Sequence, residues 1–116
     1  MRPFEEVAVS FATALVAGEF EKARGFLSPE RRAEFSAEEL QRRLFGMFDG
    51  YAEGDQPTSI QFDEEFSLVQ WPAQQPGDLG SVYVGILGEE FVEAISVIVS
   101  DKDGGQLIRE IEWGRP

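Results

Sequence analysis

Four side chains in the last third of the chain have the types and spacing to build a ligand site: Tyr83, Glu93, Arg109 and Trp113. Arg109 can hold an anionic ligand and Tyr83 can donate a hydrogen bond. Glu93 can act as a base if desolvation raises its pKa, and Trp113 falls near it in the pairing below. The plainer reading pairs Arg109 with a carboxylate and lets the aromatics fill the core. It is the favoured one, because a pocket needs convergent polar groups and this convergence rests on guessed turns.

The available chemistry is narrow. The chain has no Cys and no His. Disulfides, thiolate nucleophiles and Cys-ligated metals are excluded, along with the commonest general base and metal ligand. Catalysis would fall to carboxylates, Tyr, Ser, Thr, Lys or Arg. Asp101, Asp103 and Gly104 faintly resemble a calcium loop, but the other ligands of that pattern are missing, so a hairpin turn is expected. Gly46, Gly50 and Gly54 do not make a phosphate-cradling motif. Asp49, Tyr51 and Asp55 sit in a Gly-rich loop, where their ordinary role is turn chemistry. The expected sets are no cofactor, no metal and no catalytic residue, with Tyr83, Glu93, Arg109 and Trp113 as the ligand-binding candidates.

The elements that must position these four are the three apolar runs of Ser81–Trp113. They read as an antiparallel meander with turns at Gly88-Glu89-Glu90 and Asp101–Gly105. Those turns set Leu87 opposite Phe91, Tyr83 opposite Ile95 and Val97 opposite Arg109. One face then carries Ser81, Tyr83, Leu87, Phe91, Glu93, Ile95, Val97, Val99, Leu107, Arg109, Ile111 and Trp113. The other carries Val82, Val84, Ile86, Val92, Ala94, Ser96, Ile98 and Ile108, with Glu110 and Glu112 at its margin. Both faces read as largely apolar, and a one-residue slip would invert the assignment. Helices can cover one face, so a homodimer through the other is expected. Ser59–Gln70 reads as a further strand, with Ile60, Phe62, Phe66 and Leu68 on one parity. Glu64 breaks its apolar side, which suggests a bulge. Trp71–Gly80 reads as a loop.

The first half reads as helices. Pro3–Ala17 carries Phe4, Val7, Ala8, Phe11, Ala12, Leu15 and Val16 in one apolar stripe, with Glu5 and Glu6 complementing the dipole of its first turn. Gly18 ends it. Glu19–Leu27 is a short second helix. Ser28 caps a third segment reaching Phe35, and Ser36 with Glu39 forms a capping box for a helix reaching Phe48. Arg31, Arg32, Arg42 and Arg43 are expected to pair with nearby glutamates.

The 116-residue chain fits one domain, residues 1–116, of the α+β class: N-terminal helices packed on a curved, mainly antiparallel four-stranded sheet. The net charge is −12, and it is uneven. Residues 1–48 carry 8 acids and 7 bases, whereas residues 49–116 carry 14 acids and 3 bases, which gives −1 and −11. Nucleic acid and anionic membranes are therefore poor ligands. A solubilising surface is the ordinary meaning of such charge, and steering of a basic protein partner toward the sheet half is the functional one. No apolar run reaches the length of a membrane span. Val7–Ala17 has a loose secretory look, but Glu5 and Glu6 stand where positive charge belongs, so a cytoplasmic location is expected.

Gly18-Glu19-Phe20-Glu21-Lys22-Ala23 with Leu27-Ser28-Pro29 resembles the link between the first two helices of the nuclear transport factor 2-like superfamily. Gly105-Gln106-Leu107-Ile108-Arg109-Glu110-Ile111 resembles its last hairpin and strand. The resemblance spans nearly the whole chain and implies a cystatin-like α+β cone. That superfamily includes ketosteroid isomerase-like and SnoaL-like enzymes, small-ligand binders, transport factors and immunity proteins, so the fold does not choose among functions. Its enzymes place an acid–base group, with a Tyr or second carboxylate, inside the cone. Here the inward stripe of the first helix shows neither an acid nor a Tyr. The expectation is a non-catalytic, protein-binding domain with an acidic surface, of which the immunity type is the most concrete version. The alternative is a small-molecule binder, or a weak isomerase or hydrolase, using the cone.

Overall fold

A computed structural model describes residues 1–49 and 54–115 of the chain. Four helices precede a four-stranded sheet. They are α1 (Pro3–Val16), α2 (Phe20–Arg24), α3 (Pro29–Glu34) and α4 (Ala37–Gly46). The strands are β1 (Ser59–Phe62), β2 (Asp78–Leu87), β3 (Val92–Ser100) and β4 (Leu107–Trp113). The sheet runs in chain order, β1-β2-β3-β4, and every neighbouring pair is antiparallel. It is α+β: the helices lie on one face of an open sheet. Tyr51 and its neighbours 50, 52 and 53 in the Gly-rich loop lie outside the described residues.

The helix ends follow from local chemistry. Ser28 accepts a hydrogen bond from the Arg31 N–H at 3.3 Å, and Ser36 from the Glu39 N–H at 3.1 Å, so each satisfies a donor the helix itself cannot. Gly18 follows α1 at φ +76°, a conformation that costs any side chain with a Cβ. The expected helix to Phe48 ends at Gly46 and closes through a tighter turn at Met47 and Phe48.

The apolar stripe of α1 lies on the sheet. Phe4, Ala8, Phe11, Ala12 and Leu15 are buried against Val82, Val84, Ile86, Ile95, Val97 and Val99. Each such large side chain contributes roughly 1.5–3 kcal/mol of burial. Gly80 permits the close approach: a Cβ there would sit inside the Phe4 ring. The space a cone would leave hollow is thus filled by Phe11, Leu15 and the sheet's inward side chains.

One helix residue departs from expectation. Glu5 is fully buried, although it stands where its carboxylate only needed to complement the helix dipole. It accepts hydrogen bonds from the Arg2 backbone N–H and Nε, both at 2.9 Å, and from the Ser67 hydroxyl at 2.7 Å. The Arg2 guanidinium holds the Glu5 carboxyl down to about 2, against the desolvation that would raise it. The inward side of α1 does carry an acid, but it is a neutralised tie between the helix start and the segment after β1.

The register of the first hairpin differs by one residue from the expected one. Leu87 pairs with Val92, Val84 with Ile95 and Tyr83 with Ser96. The turn is longer because Phe91 leaves the strand: Gly88 donates to the Phe91 carbonyl at 2.9 Å, and the Phe91 ring packs on Phe48 with centroids 3.8 Å apart. Asp55 holds the loop by accepting the Glu89 and Glu90 N–H groups at 3.0 and 3.1 Å. In the second hairpin Ile95 pairs with Trp113 and Val97 with Ile111, then the register shifts between Ile98 and Val99. Val99 then pairs with Ile108 and Ser100 with Leu107, which leaves Arg109 as the extra residue of a bulge.

This slip sorts the faces. The helix-covered face collects Val82, Val84, Ile86, Ile95, Val97, Val99, Ile108 and Ile111, all buried. The open face keeps Ser81, Tyr83, Leu87, Val92, Ser96, Ile98, Glu110 and Glu112. The expectation of two largely apolar faces is corrected: one is almost purely apolar and the other is mixed. The expected strand Ser59–Gln70 is also shorter. After Phe62 the chain makes a 3-10 turn at Glu64–Phe66, then rejoins β2 through a bridge of Leu68 to Ser81. The turn throws Phe66 and Leu68 off the parity of Ile60 and Phe62, and they end 59% and 50% exposed. Strand β2 starts at Asp78, inside the expected loop.

Candidate functional site

Arg109 and Asp78 meet across the end of β3. The guanidinium donates to both carboxylate oxygens, Nε to Oδ1 at 2.5 Å and Nη2 to Oδ2 at 2.6 Å. The Gln75 N–H adds a third bond to Oδ2 at 2.8 Å. The Asp78 side chain is fully shielded from solvent and the Arg109 side chain nearly so. The Arg109 fork lowers the Asp78 pKa against the opposing push of burial, and Asp78 in turn raises that of Arg109. Arg109 is therefore a bidentate structural partner, as the plainer reading had it, rather than an anion receptor.

Tyr83 is on the other side of the sheet from Trp113. It shares a row with Ser96 and Glu112, whereas Trp113 shares one with Ile95 on the covered face. The expected convergence of Tyr83, Glu93, Arg109 and Trp113 does not occur. The one-residue slip moves β2 relative to β3, and the bulge takes Arg109 out of the alternation.

Glu93 and Trp113 do come together. With Arg42, Arg43, Gly46, Met47 and Gly114 they line an open cleft of about 380 Å³ between α4 and the ends of β3 and β4. Glu93 accepts the Arg115 N–H at 3.0 Å, with the Arg115 guanidinium 3.7 Å away. The Trp113 ring packs on Phe35 at 6.3 Å between centroids, and Arg43 lies 5.7 Å over the other ring of that pair. The buried Trp113 indole N–H has no acceptor among the described residues. From the sequence the two arginines read as helix-surface ion pairs in preference to a small basic spot. Arg42 does pair with Glu39, and Arg31 with Glu30 and Glu34, but Arg43 turns to Phe35. No spacing in the sequence announces that α4 faces the end of β4.

The open face forms a second surface. The Phe66 ring lies tilted against Tyr83 with centroids 5.8 Å apart, and with Gln61, Asp63, Leu87, Val92 and Glu93 they border a groove of about 220 Å³, so Tyr83 and Glu93 reach one groove from neighbouring strands. Val92 is 52% exposed. Phe66 was missed here because the strand parity placed it inward; the break at Glu64 was its one signal. Asp101–Gly105 makes an ordinary turn, with the Gly104 N–H bonded to the Asp101 carbonyl at 3.2 Å. Among the described residues no three carboxylates gather as a metal site, and no helix is long and apolar enough to cross a membrane. Comparison with protein-family models, with curated proteins and with solved structures finds no match for this chain.

Proposed function

We propose that this chain is a non-catalytic, protein-binding domain of the nuclear transport factor 2-like type, and that its acidic sheet half recruits a basic protein. The observation that carries this is charge. Residues 49–116 hold 14 acids against Lys102, Arg109 and Arg115, and two of those three cations are already engaged by Asp78 and Glu93. The sheet half thus presents a field of nearly one sign, which accelerates encounter with an opposite partner and disfavours nucleic acid. An immunity-type protein that blocks a basic, nucleic-acid-handling partner is the most concrete form of this reading. A non-catalytic role is supported by Arg109, the expected anion holder, whose fork is taken up by Asp78.

The test is binding to a basic protein such as lysozyme, compared with an acidic one such as serum albumin, across a salt series. Selective binding that weakens about tenfold between 50 and 300 mM salt is expected, since the Debye length falls well below 10 Å in that range. Binding that ignores salt, or that does not distinguish the two proteins, would sink the reading.

A second reading, a small-molecule binder, is favoured by one observation: the acceptor-less Trp113 indole at a cleft carrying Arg42 and Arg43. In a Trp71→Phe background Trp113 is the sole indole. Its fluorescence should shift on titration with an aromatic carboxylate such as benzoate, and an unchanged spectrum at millimolar benzoate would rule the cleft out for that class.

A further inference from the structure

We infer that the open face of the sheet is the docking surface, and that its occupant is a basic, amphipathic segment of a protein partner. This rests on the protein-binding reading and places it on one surface. The face has two unlike halves. Its mainly apolar half carries Phe66 and Leu68 after β1, Tyr83 on β2 tilted against Phe66, and Val92 at the start of β3, with Phe66, Leu68 and Val92 half exposed or more. Toward β4 it is anionic: Glu110 pairs with Ile98 and Glu112 with Ser96, so both carboxylates stand on this face, and both residues are exposed.

Neither glutamate has an ion-pair partner within 4 Å among the described residues. The neighbouring cation, Arg109, has its fork committed to Asp78 at 2.5 and 2.6 Å. Tyr83 on β2 and Glu112 on β4 share one row across Ser96, two strand spacings or about 10 Å apart. A complementary segment therefore presents apolar anchors on one side and Lys or Arg about 10 Å away. Anionic lipid and nucleic acid are repelled by the same carboxylates.

A second copy fits this face poorly. Where two copies overlap this face fully, the limiting positions of the two-fold axis run along the strands or across them. Along the strands, β4 of one copy lies over β1 of the other, and Glu110 and Glu112 are pressed on Phe66 and Leu68. Across the strands, β4 lies over β4, and carboxylates meet carboxylates. Both arrangements bury charge without a partner, which is costly in either case. A basic segment meets neither penalty.

The experiment measures binding of three labelled peptides of equal length at 150 mM salt: alternating Lys and Leu, oligolysine, and alternating Glu and Leu. The proteins are wild type, Glu110→Lys/Glu112→Lys, Phe66→Ser/Val92→Ser, and a control of equal charge change on the helices, Glu21→Lys/Glu38→Lys. All the replaced residues are exposed or nearly so, so melting temperatures report that each variant is folded. The Lys–Leu peptide should bind at least tenfold tighter than oligolysine, and the Glu–Leu peptide should not bind. Each open-face pair should weaken the Lys–Leu peptide about tenfold or more, and the helix pair less than threefold. If the helix pair weakens binding as much as the Glu110/Glu112 pair, net charge alone is responsible. The surface assignment then fails while the protein-binding reading stands. If neither open-face pair matters, the segment docks elsewhere and the assignment also fails. No binding of any basic peptide or protein overturns both. Sedimentation of the wild type as a dimer that Phe66→Ser/Val92→Ser dissolves would assign the face to a second copy and overturn the inference.

Discussion

Val82, Val84 and Ile86 leave β2 on one side; Ser81, Tyr83 and Leu87 leave it on the other. The two sets come from the same ten residues of strand, yet their surroundings differ completely. The first set is fully buried under α1. The second faces outward with Phe66, Val92, Glu110 and Glu112. The covered face is packed tightly under α1, and only toward α4 does it open, into the cleft of Glu93 and Trp113. The open face holds the exposed Phe66 and the carboxylates of Glu110 and Glu112, which have no ion-pair partner within 4 Å among the described residues.

The largest effect should separate the faces directly. Ile95→Ala, on the covered side, is expected to cost about 4 kcal/mol, because a fully buried side chain leaves a cavity against α1. Val92→Ala, three residues away on the open side, should stay within about 0.5 kcal/mol. Equal losses in urea unfolding would erase the distinction. Next, Asp78→Ala should cost about 3 kcal/mol, since it strands the nearly buried Arg109 without its partner. The same measurement on Arg109→Met/Asp78→Leu should recover most of that loss, because both charges leave together. Smaller again, Gly80→Ala should cost about 2 kcal/mol by driving Phe4 off the sheet, and Phe4→Leu in the same chain should restore part of it.

The pH dependence sharpens the comparison at its edge, where Glu5 ties α1 to Ser67. Its folded pKa, about 2, lies below the ordinary carboxylate value of 4.5. The unfolded chain therefore takes up the proton first as pH falls. The stability that Glu5 supplies is fully present above about pH 5 and is lost toward pH 2. Wild type should melt above Glu5→Gln at pH 7, and the gap should narrow steadily below pH 5. A gap independent of pH would mean that the Arg2–Glu5 contact does not set it. The smallest effect is Phe66→Ser, expected to leave the melting temperature within a few degrees, since Phe66 is 59% exposed.

Much of the helical half was legible. The stripe of α1, the Ser28 and Ser36 caps and the Gly18 stop depend on residues a few positions apart, and local chemistry decides them. The existence of the three meander strands was legible for the same reason. The register between them was not. Phe91 could be a strand residue or a loop residue, and its contact with Phe48, in the turn after α4 and far away in sequence, goes with its place outside the ladder. The hydrophobic pattern did hold the answer: pairing Val82, Val84 and Ile86 with Ile95 and Val97 yields one clean apolar face, whereas the guessed turn mixed two. The site candidates inherited that ambiguity. Glu93 and Trp113 met because their relative parity survived, and Tyr83 and Arg109 were lost to the slip and the bulge.

The sequence by itself determined the α+β class, the order of helices before strands, the lack of His and Cys chemistry and the acidity of the sheet half. These follow from composition and from periodicities of two and 3.6 residues, which need no knowledge of distant contacts. The tertiary structure alone decided which strand face the helices cover, that Arg109 belongs to Asp78, that Glu5 is buried, and that Arg43 and Trp113 line one cleft. Each of these is a meeting of residues far apart in the chain, fixed by close packing of α1 and α4 on the sheet rather than by any local preference.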